Sequence, residues 1–246
     1  MSLPDAVAGT VLSKAQAAPF IAIEELAPGP CLLLVVPHPD DETLGCGMAL
    51  AAAAARGTRI VIVLLTDGEA SHPSSVRFDR DALARVRRRE LSQALAHLCP
   101  GKSVTVHRLG LPDGTSRPSD IGPHTMERVV TLAAAAGASA IWTTWAGDPH
   151  CDHQTAAALC RHVALRLGVP HFAFPVWGRF GKSHPPAHLF RFHDTRFLDC
   201  KHAAVACYRS QTGELIADDP GGFIMPPAFL DHFANHSEIF IREYPE

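Results

Sequence analysis

The chain has 246 residues, a length that suits one α/β domain with a sizeable core. Its net charge of −3 excludes the broad basic field expected of a nucleic-acid binder, and its 47% hydrophobic content excludes general disorder. No window approaches the roughly 18 unbroken apolar residues of a membrane-spanning helix, so no membrane span is expected.

The start, Met1-Ser2-Leu3-Pro4-Asp5, lacks a basic region ahead of an apolar run, and no secretory signal is expected there. The seven cysteines are odd in number, scattered, and contain no C-x-x-C pair. That usage fits reduced thiols in a cytoplasmic protein. Fifteen histidines raise the prospect of a metal site while making any single histidine weak evidence.

In chain order, 1–20 reads as a surface arm or leading helix and 21–26 as a short strand or turn. The apolar run 31–36, bounded by prolines, reads as a buried strand, and an alanine-rich helix follows over 43–56 with Gly57 just past its end. A second doubly apolar strand spans 59–65, of the kind found in parallel sheets covered by helices. Beyond a Ser/Pro-rich loop come a helix over 79–98, a strand over 104–109, a helix over 119–136, a strand over 138–144 and a helix over 154–167 closed by Gly168. Four strand–helix repeats predict a right-handed, Rossmann-like, mostly parallel sheet flanked by helices. From His171 the pattern changes. Short strands are expected at 171–177 and 189–192, a helix over 195–210, and a long Gly/Pro-containing loop over 211–236. Residues 1–246 are read as a single domain, with 171–246 as its C-terminal β-containing elaboration.

Two strand ends concentrate the chemistry. Strand 31–36 runs into Pro37-His38-Pro39-Asp40-Asp41-Glu42, and strand 138–144 runs into a segment ending His150-Cys151-Asp152-His153. Ligands of open α/β sheets sit outside the carboxyl ends of strands, so residues distant in sequence can meet there. Two imidazoles and a carboxylate are a familiar ligand set for a catalytic zinc ion with an open position. A further carboxylate can accept a proton from water, and a further imidazole can steady an oxyanion. The plain structural reading competes: Asp40, Asp41, Glu42 and Thr43 also suit a helix start, where acidic and hydroxyl side chains cap and complement the dipole. Gly45-Cys46-Gly47 resembles a dinucleotide fingerprint without its last glycine and lies too far beyond the strand, so it reads as helix packing.

The string from Pro37 to Glu42 closely resembles the (A/P)-H-P-D-D-E signature of the LmbE-like/PIG-L family of metal-dependent N-acetylglucosamine de-N-acetylases. Further likenesses follow in order: Thr66-Asp67-Gly68-Glu69, the R-x-x-E string starting at Arg87, the Leu109–Gly114 turn containing Asp113, H-x-D-H at 150–153, and a late segment from Lys201 to Ser210-Gln211. The resemblance implies that His38, Asp41 and His153 bind the metal, with Zn²⁺ the expected ion and Fe²⁺ or another divalent ion also compatible. It implies Asp40 as general base, His150 as oxyanion stabiliser or acid, and Asp152 as the group orienting a neighbouring imidazole. Arg87, Asp113 and Glu69 would contact sugar hydroxyls. The implied activity is hydrolysis of an N-acetyl or other short N-acyl group from an amino sugar or its conjugate, with a small molecule and no nucleic acid as partner; homo-oligomerisation is compatible with the sequence. A non-catalytic sugar- or nucleotide-binding module on the same fold is the alternative, and Asp40 beside the ligands argues against it, because binding alone needs no base.

Overall fold

The computed structural model describes residues 7–243. The first six residues of the expected N-terminal arm lie outside the described residues.

A helix α1 (Thr10–Gln16) and a short helix α2 (Ile23–Leu26) lead into β1 (Cys31–Val36). There follow α3 (Asp41–Ala55), β2 (Arg59–Leu64), α4 (Arg80–Leu98), β3 (Val104–Arg108), α5 (Pro123–Ala136), β4 (Ala140–Thr144) and α6 (Cys151–Leu167). The chain closes with β5 (His171–Phe174), β6 (Leu189–Phe192), α7 (Leu198–Val205), α8 (Pro227–Asn235) and β7 (Glu238–Glu243). The seven strands form one sheet in the order β3-β2-β1-β4-β5-β7-β6. The first five are parallel, and β7 runs antiparallel between β5 and β6. Among the described residues no helix is long and apolar enough to cross a membrane.

Residue parity in the central strands builds the layers. Leu32, Leu34 and Val36 of β1 face one way and join Ile60, Ile62, Met48 and Leu91 beneath α3 and α4. Leu33 and Val35 face the other way and join Val61, Val63, Val129 and Leu159 beneath α5 and α6. A strand with both faces covered has no polar alternation, which is why β1 and β2 are continuous apolar runs.

One expectation is narrowed and two are corrected. Of the strand or turn expected over 21–26, residues 23–26 form the turn, a helical one. The expected helix over 195–210 is α7 between two 3₁₀ turns, and the expected loop over 211–236 contains α8. Pro227 stands in the first turn of α8, where its missing N–H is no loss, and Phe229 and Phe233 bury that helix against the core. Neither α8 nor β7 had been expected.

Helix α3 is broken at Cys46, whose backbone is extended in φ (−147°) with ψ 23°. The break releases backbone groups in a buried place. The Glu238 carboxylate accepts the amides of Met48 (2.6 Å) and Ala49 (2.9 Å), while Lys201 Nζ pairs with Glu238 (2.7 Å) and approaches the Leu44 carbonyl (3.5 Å). Gly45 lies against the ring of Phe174, where a Cβ would overlap it. Gly45 thus serves the packing of the helix on the sheet.

Candidate active site

The strand order reverses between β1 and β4, which are neighbours. β1 connects onward toward β2 and β3, while β4 opens the other side, so the turns that follow the two strands diverge and leave a crevice. The segment 37–42 follows β1 and the segment 145–153 follows β4, and they meet in that crevice. The ring of His38 lies 4.7 Å from that of His150 and 5.4 Å from that of His153. His153 sits in the first turn of α6, a helix that begins at Cys151, earlier than the sequence implied.

His38, Asp41 and His153 each offer one ligand atom within 4.8 Å of the others, and His38, His150 and Asp152 form a second such group. Hydrogen bonding separates the two. His153 Nδ1 lies 2.7 Å from Asp148 Oδ2. The carboxylate can only accept, so Nδ1 carries the proton and Nε2 presents its lone pair. That Nε2 is buried with no hydrogen-bond partner and stands 3.5 Å from Asp41 Oδ1. Asp152 is already committed, accepting the amides of Gly114 (2.8 Å) and Ser116 (2.9 Å) and contacting His38 Nε2 at 2.9 Å. An unpartnered imidazole lone pair beside a carboxylate and a second imidazole is the donor set a divalent ion needs, so the first group fits a metal. Asp148 supplies the outer support, its two oxygens also receiving the amides of Val176 (3.0 Å) and Gly178 (2.6 Å).

The crevice is crowded with carboxyl groups. Asp40, Asp41, Asp113 and Asp152 converge here, all with under 10% exposure. Burial lowers the pKa of His38, but hydrogen bonds to Asp113, Asp152 and Asp41 outweigh it and hold the imidazole well above its ordinary value. Burial raises the Asp41 carboxyl, yet His153 and His38 outweigh that and bring it down to about 2. Burial, with His38 and His153 adding, pushes His150 down to about 4. Neutral His150 accepts the Asp152 amide at Nδ1 (3.2 Å), so its Nε2 carries the proton and is a donor.

Asp40 is the one non-glycine with positive φ (132°) among the described residues. Such a backbone costs about 1–3 kcal/mol and persists only when its surroundings over-determine it. They do so here. The Asp40 amide donates to Glu42 Oε2 (3.1 Å), its carbonyl accepts the amides of Thr43 and Leu44 (2.9 Å each), and its Oδ2 accepts Arg87 Nη2 (2.8 Å). Glu42, itself fully buried, is held by the hydroxyls of Thr43 and Tyr208. Burial pushes the Asp40 carboxyl well above the usual range although Arg87 opposes it, a direction that suits a proton acceptor.

The expected substrate contacts divide. Arg87 is 3% exposed and its amino groups are taken by Asp40, the Pro39 carbonyl (2.6 Å) and the Gly68 carbonyl (3.0 Å). It is not on the solvated helix face that its basic neighbours form. Asp113 faces His38 Nε2 at 3.2 Å and accepts the Ala70 amide (2.7 Å). Both line a cavity of about 570 Å³ together with His38, Asp40, Asp41 and His150. Glu69 does not line it. It accepts the Asp113 amide (3.3 Å) from behind and turns toward Arg80 (3.4 Å). Sequence reasoning gave no role to Asp148, Glu42 or Tyr208. All three stood in segments the sequence singles out, Glu42 in the acidic string, Asp148 in the polar stretch after β4 and Tyr208 in the late segment from Lys201, but nothing along the chain marks what each one touches.

Residues 33–164 match the family described as GlcNAc-PI de-N-acetylase, PIG-L. The chain belongs to that family. Among individual relatives, a 1D-myo-inositol 2-acetamido-2-deoxy-alpha-D-glucopyranoside deacetylase from a Nocardioides species is 32% identical over 194 residues, covering 74% of this chain and 57% of that protein. The chain thus spans little more than half the length of this relative, and a match to a second relative of the same name covers 27% of its length. Among solved structures, the N,N'-diacetylchitobiose deacetylase of Pyrococcus horikoshii superposes with a TM-score of 0.67 at 16% identity, covering 95% of this chain and 90% of that one. GalB, the 4-carboxy-2-hydroxymuconate hydratase of Pseudomonas putida, superposes with a TM-score of 0.61 at 21% identity, covering 74% and 80%. At such identities these structures show the shared fold, and one of the two is named as a hydratase.

Proposed function

We propose that this protein is a metal-dependent hydrolase that removes a short N-acyl group from an amino-sugar conjugate. The observation that carries the reading is the buried, unpartnered Nε2 of His153, facing Asp41 and His38 in the same crevice as Asp40. His38, Asp41 and His153 would hold the ion. A divalent ion there lowers the pKa of water and polarises an amide carbonyl; Zn²⁺ is our assignment, and the donor set also accepts Fe²⁺.

The protein's own groups do the rest. Asp40, held by Arg87 and by the Glu42 contact to its amide, takes a proton from the attacking water. The water oxygen bonds to the acyl carbon, the C–N bond breaks, and the nitrogen leaves as an amine after gaining a proton. His150 directs its Nε2–H at the carbonyl oxygen, where negative charge develops. Asp152 orients His38, and Asp113 stands where a sugar hydroxyl can donate to it. We read residues 1–246 as one functional unit, since β5, β6 and β7 complete the same sheet that carries the crevice. The seven cysteines are all free, which supports a cytoplasmic setting.

The test begins with metal content. Wild type is expected to retain about one divalent ion per chain, and Asp41→Ala and His153→Ala to lose it. The metal-loaded wild type should release amine from N-acetylglucosamine conjugates. Asp40→Asn should keep the ion while turnover falls about 10²–10⁴-fold. Metal retention with no amine released from any N-acyl amino sugar would overturn the hydrolase reading; full activity in Asp40→Asn would overturn the base assignment.

A further inference from the structure

The cavity over the acidic cluster has two unlike halves. Its floor is polar, with His38, Asp40, Asp41, Arg87, Asp113 and His150. Its outer half is mostly apolar, with Pro73, Trp177, Pro220, Phe223, Ile224 and Met225 beside the polar Ser71 and Gln211.

The apolar half is built rather than incidental. Residues 71–77 and 218–223 are laced together: the Phe223 amide donates to the Ser71 carbonyl (2.7 Å), the Ser74 amide to Asp219 (2.8 Å), and the amides of Val76 and Arg77 to one oxygen of Asp218 (3.0 Å each). The Met225 amide donates to the Gln211 carbonyl (2.7 Å), which fixes the next stretch. Trp177 meets Phe223 edge to face at 6.0 Å. Onto this fixed wall Ile224 projects 41% exposed, one of five large apolar side chains so exposed among the described residues. Pro73 and Pro220 are exposed beside it.

Charge narrows the occupant further. Arg87 is the one permanent cation among the described residues lining the cavity, and its amino groups are already bound by Asp40 and two backbone carbonyls. Three carboxylates, on Asp40, Asp41 and Asp113, share the same space. Beside the apolar side chains no free Lys or Arg stands ready to pair with a phosphate or carboxylate on the substrate. An uncharged apolar group would instead cover Ile224 and Phe223 and gain from leaving water.

We infer that the outer half of the cavity, walled by Trp177, Phe223 and Ile224, is a subsite for an uncharged apolar group of the amino-sugar substrate. The inference rests on the hydrolase reading above for the reaction, but on the wall itself for the preference. Two parts of a substrate could supply the group, the aglycone or the acyl chain.

Four compounds separate these cases: methyl N-acetylglucosaminide as reference, its phenyl analogue, the methyl glycoside bearing N-hexanoyl, and N-acetylglucosamine 1-phosphate. With metal-loaded protein, kcat/KM should rise at least about tenfold over the reference for phenyl or for N-hexanoyl, in keeping with what apolar pockets discriminate. A phenyl gain assigns the wall to the aglycone and a hexanoyl gain to the acyl chain. The phosphate should fall below the reference. Ile224→Ser, a change at an exposed position, should shrink the gain several-fold. Turnover of the reference with no gain from either apolar group, or a phosphate as good as the best substrate, would overturn the subsite. If no compound is turned over, the hydrolase reading fails and calorimetry decides the subsite separately. Phenyl glycoside binding more tightly than methyl, and more weakly to Ile224→Ser, would still support it; equal binding would overturn it.

Discussion

Lys201→Met should be among the most destabilising single changes in the chain outside the crevice. Lys201 and Glu238 are paired at 2.7 Å with side chains 1% exposed each. Glu238 cannot be dispensed with cheaply, since it receives the two amides that the break at Cys46 sets free. Removing the lysine leaves a buried carboxylate with no counter-charge, a loss of about 3–5 kcal/mol. For a chain of this length each kcal/mol moves the midpoint about 2–4 °C, so Tm should fall by about 6–20 °C. The double change Lys201→Met/Glu238→Gln removes the stranded charge and keeps an oxygen for one of the two helix amides, so it should be more stable than Lys201→Met alone. Urea and thermal melts of the two single variants and the double complete the cycle. A loss under about 1 kcal/mol in Lys201→Met, or a double variant worse than that single, would refute the idea that the pair neutralises the break. Because Asp41 rides on the first turn of α3, weaker metal retention should accompany the loss of stability.

Asp148→Asn should weaken metal binding about 10–100-fold, because an amide can offer its own N–H to His153 and favour the wrong tautomer; competition against a chromophoric chelator measures this, and unchanged affinity would remove Asp148 from the site's support. Stability should also decline in mild acid. Burial, aided by Arg161, brings His171 down to about 4, and burial, aided by Arg179, brings His232 down to about 3, against about 6.5 in an unfolded chain. Between those values the unfolded state binds more protons, so this contribution is fully present above about pH 6.5 and is lost as pH falls toward the folded values. His171→Gln and His232→Leu should each flatten the change in urea midpoint between about pH 7 and pH 5 relative to wild type, and an unaltered slope in both variants would show that neither imidazole resists protonation.

The parts of the fold that could be read directly are those whose physics is local. β1 and β2 are continuous apolar runs because helices cover both faces, and the runs are visible without any partner. The end of β1 carries His38, Asp40 and Asp41, and the helix start at 150–153 after β4 carries His153, so the crevice could be anticipated from strand ends alone. α8 escaped because prolines and a short length hide a helix whose stability comes from burying Phe229 and Phe233 against other elements. β7 escaped because a strand at the end of the chain is defined by the two partners it pairs with, β5 and β6.

The amino-acid sequence by itself determined the strand–helix alternation, the two polar strand ends and the residue types available for a metal and a base, since periodicity and composition are properties of neighbours along the chain. Only the tertiary structure decided which of those residues meet and in what state. It set Arg87 on Asp40 in place of solvent, Glu69 behind Asp113, Asp148 on His153 so that one nitrogen is left unpartnered, and Glu238 and Lys201 at the break in α3. All but the Asp148–His153 contact join residues remote in sequence. Burial makes such contacts energetically decisive, and burial is known only when the layers have closed.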